Sequence, residues 1–289
     1  MLQYLIWEPD PEIFHIGSFS VRWYGLLFAL GFLLGMQIMT YIFKAERKPV
    51  SETDTLLIYM VIGTILGARF GHFLFYEPEV LINHPLTVIT PPFAGLASHG
   101  AVVGIPISLW LYSRRKQSMA SGQSFLWVAD RIVIVVALAG AFIRLGNFVN
   151  SEIIGRPTDL PWGVVFPKAD YRDVPGPVEF HMVPRHPAQL YESLSCLIVF
   201  GVLFWLWSRR KSQTPRGSLL GIFFIWVFTL RFLFEYLKEN QVAKEATMAL
   251  NIGQLLSIPT VLLGIFFLVR SYQKPISMPE GSLSDPPQH

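Results

Sequence analysis

Charge is scarce in this chain: only 15% of its 289 residues are Asp, Glu, Lys or Arg, against roughly 25% in an average soluble protein. Cysteine is scarcer still. The lone Cys196 excludes an internal disulfide and any thiolate metal cluster, and in its apolar run it reads as a small hydrophobe. The histidines lack ligand spacing and no phosphate-cradling glycine loop is present, so neither a metal nor a nucleotide cofactor is expected. A basic start is missing too. Met1 to Phe14 carries acidic residues instead, and no cleavable signal peptide is expected. The net charge of +3 gives no reason to expect a nucleic-acid partner, and no internal repeat is visible.

Apolar residues are what the chain has in excess. They make up 52% of it, with eight Trp and twenty-three Phe, the composition of a protein that crosses a membrane several times. Apolar runs near 20 residues fall at about 18–41, 56–76, 94–113, 125–145, 189–208, 217–236 and 251–270. The connections sort by charge. Lys44, Arg47 and Lys48; Arg114 to Lys116; Arg209 to Lys211 with Arg216; and Arg270 with Lys274 put twelve basic residues on one side, against six on the other. The positive-inside rule then places the N-terminus outside and the C-terminus in the cytoplasm, as an odd count of seven requires.

The expected fold is thus an all-α integral membrane protein of seven transmembrane helices, one domain over 1–274. A small extracytoplasmic insertion at about 146–188, rich in proline, and a disordered cytoplasmic tail over 275–289 complete it. GxxxG spacings at Gly31/Gly35, Gly63/Gly67/Gly71 and Gly100/Gly104 predict close helix approach and say nothing about function.

Five arginines interrupt the apolar runs: Arg22, Arg69, Arg131, Arg144 and Arg231. A guanidinium at membrane depth costs several kcal/mol, of order 3, unless it finds water or an anion. With a helical rise of about 1.5 Å per residue, Arg69, Arg231 and Arg144 reach the outer third of the membrane. Glu235, His99 and Tyr24 share that level, and Arg185, His186, Gln189, Tyr191 and Glu192 gather at the outer mouth of the fifth run. Only Asp130 and Arg131 sit near the inner face. Such a layer is the footprint of a site opening toward the outer leaflet.

Bland readings stand beside this one. Arg22 is near enough to the interface to snorkel, Arg131 with Asp130 reads as a structural edge pair, and Tyr24 and Tyr76 fit an aromatic belt. Arg69 is read equally as an intramembrane salt bridge to Glu235 or Glu192 and as functional. For Arg144, Arg231 and His99 function is the better reading. An anion channel or secondary transporter would also use intramembrane arginines, but such sites usually lie at the midplane between repeats.

His99-Gly100-Ala101-Val102-Val103-Gly104, the block Arg144-Leu145-Gly146-Asn147-Phe148-Val149-Asn150-Ser151-Glu152, and Arg185-His186-Pro187-Ala188-Gln189-Leu190-Tyr191-Glu192 resemble the signatures of bacterial prolipoprotein diacylglyceryl transferases. Trp23-Tyr24-Gly25 and Arg231-Phe232-Leu233-Phe234-Glu235 extend the resemblance, which runs in order from about residue 19 to Pro259. Ala101, Ile143 and Lys238 depart from the residues common in that family. The resemblance implies a multi-pass protein of the bacterial inner membrane. It would transfer the sn-1,2-diacylglyceryl group of phosphatidylglycerol to the lipobox cysteine of a preprolipoprotein signal peptide, releasing glycerol phosphate. It further implies that Arg144 and Arg231 bind the headgroup, that Tyr24, Gly146, Asn147 and Glu152 line the site, and that His99 is the base. Asn150, Glu235, Arg69, Arg185, Gln189, Tyr191 and Glu192 are expected in support.

Elementary chemistry agrees with that reaction. A phosphate monoester departs, so negative charge gathers on the leaving group, where permanently ionised guanidinium forks stabilise it. The attacking thiol, with an unperturbed pKa of about 8.5, must lose a proton. His99 or Glu152 is placed to take it.

Overall fold

The computed structural model describes residues 4–17, 19–90, 98–169, 182–239 and 248–273. Among them are nine α-helices: α1 (Trp23–Ala45), α2 (Glu52–Tyr76), α3 (Pro78–Asn83), α4 (Ser98–Ser113), α5 (Lys116–Ala120), α6 (Phe125–Val149), α7 (Ala188–Arg210), α8 (Ser218–Phe234) and α9 (Ile252–Gln273). Six of these, α1, α2, α6, α7, α8 and α9, are long and apolar enough to cross a membrane, and α4 is a shorter apolar helix. The protein is therefore a helical integral membrane protein. The third expected run starts in residues outside the described ones, and the tail over 275–289 lies outside them altogether.

Close approach at small residues sets the helix pairs. A Cβ added to Gly67 in α2 would lie 2.7 Å from the Gly100 carbonyl oxygen of α4, and one added to Gly104 would lie 2.2 Å from that of Gly63. The glycines here are a steric requirement, because lipid gives helices no hydrophobic reason to associate and packing must supply it. Gly31 of α1 meets Ala139 of α6, and Gly221 of α8 meets Gly264 of α9.

Beside the helices, the described residues hold four short strands: β1 (Leu5–Ile6), β2 (Glu12–Ile16), β3 (Phe19–Arg22) and β4 (Val164–Val165). β2 and β3 form an antiparallel hairpin that turns at Gly17, whose φ of +62° suits a residue without Cβ. β1 pairs parallel with β4 of the insertion. Residues 19–22, expected in the first membrane run, thus precede α1 rather than belonging to it. Arg22 is an exposed strand residue whose Nη2 donates to Glu12 Oε1 at 2.9 Å. The Ser20 hydroxyl, the Arg22 donor and nearby charge hold the Glu12 carboxyl below its ordinary pKa.

Arg131 is structural, as expected, but its main partner is not Asp130. Glu46, at the end of α1, accepts from Arg131 Nε at 3.0 Å, Trp127 Nε1 at 2.9 Å and Trp207 Nε1 at 2.6 Å, all buried. Asp130 instead accepts the Gly217 and Leu220 backbone N–H groups at 2.6 and 2.9 Å. It caps the start of α8, where a carboxylate meets both free donors and the positive end of the helix dipole. This knot ties α1, α6, α7 and α8 at the end carrying the basic loops.

Candidate active site

At the opposite end, α6 delivers the site. Its last turns carry Arg144, Gly146 and Asn147, after which the chain turns sharply through Ser151 and Ile153, both with φ of +55°. Two left-handed non-glycine residues flanking Glu152 mark a backbone held by its surroundings, a condition common at functional sites. Tyr24, in the first turn of α1, lies so close that a Cβ at Gly146 would come within 2.7 Å of its ring. Only glycine lets that ring cross α6 here.

Glu152 is exposed yet firmly placed. Asn147 Nδ2 donates to its Oε2 at 2.8 Å, Asn150 Nδ2 to its Oε1 at 3.1 Å, and Gln189 Nε2 to its backbone carbonyl at 2.6 Å. Arg144 Nε lies 2.9 Å from Glu192 Oε2 of α7, an ion contact without the alignment of a hydrogen bond. Its Nη1 makes a long bond of 3.4 Å to Asn147 Oδ1. Much of this guanidinium's donor capacity thus remains available.

Arg231 on α8 is freer still. Its Nε is 3.9 Å from Glu235 Oε1, and it makes no hydrogen bond among the described residues. Glu235 is held elsewhere, by Lys238 Nζ at 3.0 Å and Asn251 Nδ2 at 2.9 Å. Arg144 and Arg231 open on one cavity of about 70 Å³, lined also by Glu192, Cys196, Phe228 and Phe234. Two cations with spare donors facing a shared space have the chemistry to hold an oxyanion, since a guanidinium fork matches a phosphate's oxygens.

The expected cluster therefore assembles from α1, α6, α7 and α8, with exceptions. Arg69 is not paired with Glu235 or Glu192. Its Nε donates to the Val88 carbonyl at 3.0 Å and its Nη2 to those of Thr87 and Thr90, so it pins the 84–90 turn after α3. A carbonyl-rich turn next to the helix satisfies the guanidinium locally. Arg185 is fully buried within the insertion, bonded to Glu239 at 2.6 Å and to the Gly155 carbonyl at 3.2 Å. Tyr191 accepts from Trp162 Nε1 at 2.8 Å and faces His186 at 3.3 Å, where desolvation lowers the imidazole pKa. The backbone of His99 opens α4, and its side chain lies outside the described residues.

Sequence reasoning missed three residues. Lys238 Nζ sits 2.6 Å from Glu192 Oε1, and its spacing of three from Glu235 was a usable signal. Gly155 faces the segment around His186 so tightly that a Cβ would lie 2.3 Å from the His186 carbonyl oxygen. Trp7 stacks on Phe148 at 4.4 Å and donates to its carbonyl at 2.8 Å, a contact across 141 positions that no local pattern announces.

Comparison with known proteins fits this geometry. Residues 11–270 match the family model described as prolipoprotein diacylglyceryl transferase. The phosphatidylglycerol–prolipoprotein diacylglyceryl transferase of Tolumonas auensis is 45% identical over 267 residues, covering 92% of this chain and 97% of that protein. The one from Chloroherpeton thalassium is 41% identical over 274 residues, 94% of this chain and 96% of its own. That of Porphyromonas gingivalis is 41% identical over 286 residues, 95% and 97%.

Proposed function

The chain belongs to the prolipoprotein diacylglyceryl transferase family, and from that premise we propose how its site transfers the sn-1,2-diacylglyceryl group of phosphatidylglycerol to the lipobox cysteine of a prolipoprotein. The observation that carries the reading is the shared cavity of Arg144 and Arg231. The phosphate of the donor lipid sits between the two guanidinium groups. The thiolate sulfur attacks the carbon of the diacylglyceryl group that bears the phosphate, the bond from that carbon to the phosphate oxygen breaks, and glycerol phosphate leaves with the electron pair. Charge that grows on the departing oxygens meets donors already in place, in a water-poor setting where such donors act most strongly. Family membership sets the transporter alternative aside.

The thiol proton goes to His99. Both carboxylate oxygens of Glu152 already accept amide donors, so Glu152 reads as a fixed wall of the site that orients Asn147. An apolar slot of about 190 Å³ between α1, α2 and α6 ends at Ile143, one residue from Arg144, and suits an acyl chain of the donor. His99→Gln should lower turnover by roughly 10²–10⁴-fold, the span for loss of a general base, with phosphatidylglycerol binding almost unchanged. Rate measurements beside lipid-binding isotherms check this. Equal loss in both would make His99 a headgroup ligand.

Counting α4, the chain crosses the membrane seven times, N-terminus outside, and the site opens to the outer leaflet. Support comes from the basic residues, which crowd the connections at the Glu46–Arg131 end. Reporter fusions after Lys116 and Lys211 are expected to read cytoplasmic, and an insertion in the 77–93 connection extracytoplasmic. A cytoplasmic signal from that connection would invert the orientation.

A further inference from the structure

Between the two acidic partners of Arg144 and Arg231 lies a third cation. Lys238 is 2% exposed, at the end of the single 3-10 turn that follows α8. Its ammonium is 2.6 Å from Glu192 Oε1 and 3.0 Å from Glu235 Oε1. Glu192 in turn contacts Arg144 at 2.9 Å, and Glu235 approaches Arg231 at 3.9 Å. The charges alternate along one line: Arg144, Glu192, Lys238, Glu235, Arg231. The Lys238 backbone is held as well. Its carbonyl accepts from Arg156 Nε at 3.0 Å, and Gly155 pairs with it across the turn that follows Glu152.

A buried ammonium is costly unless both its charge and its donors are matched, and here two carboxylates match it. Without it, Glu192 and Glu235 would lie together as like charges around a shared gap. Each would then draw harder on its arginine, pulling the guanidinium groups away from the cavity. We propose that Lys238 is a positioning residue of the transfer reaction: by tying Glu192 to Glu235 it fixes the separation at which Arg144 and Arg231 receive the phosphate. The inference rests on the clamp role proposed above for those two arginines.

Charge, rather than bulk, should therefore matter at position 238. Lys238→Met keeps length and apolar packing and removes the ammonium. It should lower kcat by about 10²-fold, the scale of a small misplacement of reacting groups, with the KM for phosphatidylglycerol little changed. Lys238→Arg should keep most of the activity, because it restores a cation with two carboxylate partners. Adding Glu235→Gln to Lys238→Met removes the excess negative charge and should recover about tenfold, a coupling typical of one ion-pair network. A purely structural lysine would show no such rescue. Near-native activity of Lys238→Met would overturn the proposal. So would a Lys238→Met protein, inactive or absent from the membrane, that Glu235→Gln does not improve. Failure of the clamp itself shows separately, as an active Arg144→Lys protein. With that variant inactive, the Lys238 outcomes bear on Lys238 alone.

Discussion

Exchanging Arg231 and Glu235 should leave the protein inactive, with transfer reduced about as far as by Arg231→Glu alone, at least roughly 10³-fold for loss of a donor to the developing charge. The two residues are four apart and share a helix face. If they formed only a salt bridge, the exchange would restore it and recover much of the activity. The geometry argues otherwise. Their separation is 3.9 Å, whereas Glu235 is bonded at 3.0 Å to Lys238 and at 2.9 Å to Asn251. A Cβ on Gly253 would lie 2.9 Å from the Glu235 carboxyl carbon, so the Glu235 carboxylate packs directly against the α9 backbone. An arginine at 235 would face Lys238, and the positive charge would move about 6 Å along the helix while a carboxylate took its place in the cavity. Transfer assays on the single and double variants in lipid vesicles decide the matter. An active double exchange would reduce Arg231 to scaffolding.

What the sequence reveals and what it hides divide along physical lines. Helix interiors are legible because burial in lipid demands long apolar runs: α2 ends at Tyr76 as expected, and α9 spans Ile252–Gln273 against an expected 251–270. The start of α1 is not, because residues 19–22 are apolar enough for a helix but pair with Glu12–Ile16 as a hairpin. The block from Arg144 to Glu152 is legible since its members lie within one helix end and its turn. Partners across helices are not. Arg131 does contact its neighbour Asp130, at 3.7 Å, yet its shortest hydrogen bonds go to Glu46, which tertiary packing brings from 85 positions away. Arg69 likewise has the depth of a site residue, and only the path of the 84–90 turn shows that its donors go to backbone carbonyls. Lys238 was visible only as a family departure, because its importance lies in two glutamates on different helices.

Arg144→Ala should abolish detectable transfer, a loss of about 10³-fold or more for a clamp residue that meets the leaving phosphate, while the protein still inserts and folds. Folding survives because Glu192 keeps a partner: Lys238 remains 2.6 Å from its other oxygen, so no carboxylate is left buried and unpaired. Arg144→Lys should recover little. An ammonium is a single point charge, and from one position it cannot reach Glu192, Asn147 and the phosphate as the planar fork does. The most direct measurement uses wild-type and Arg144→Lys protein in phosphatidylglycerol vesicles with a lipobox peptide, the products identified by mass spectrometry. Wild type is expected to yield the diacylglyceryl thioether and glycerol phosphate in equal amounts, and folded Arg144→Lys almost none of either. Near-wild-type yields from Arg144→Lys, or a wild-type product in which the phosphate stays on the lipid, would contradict the clamp on the leaving group.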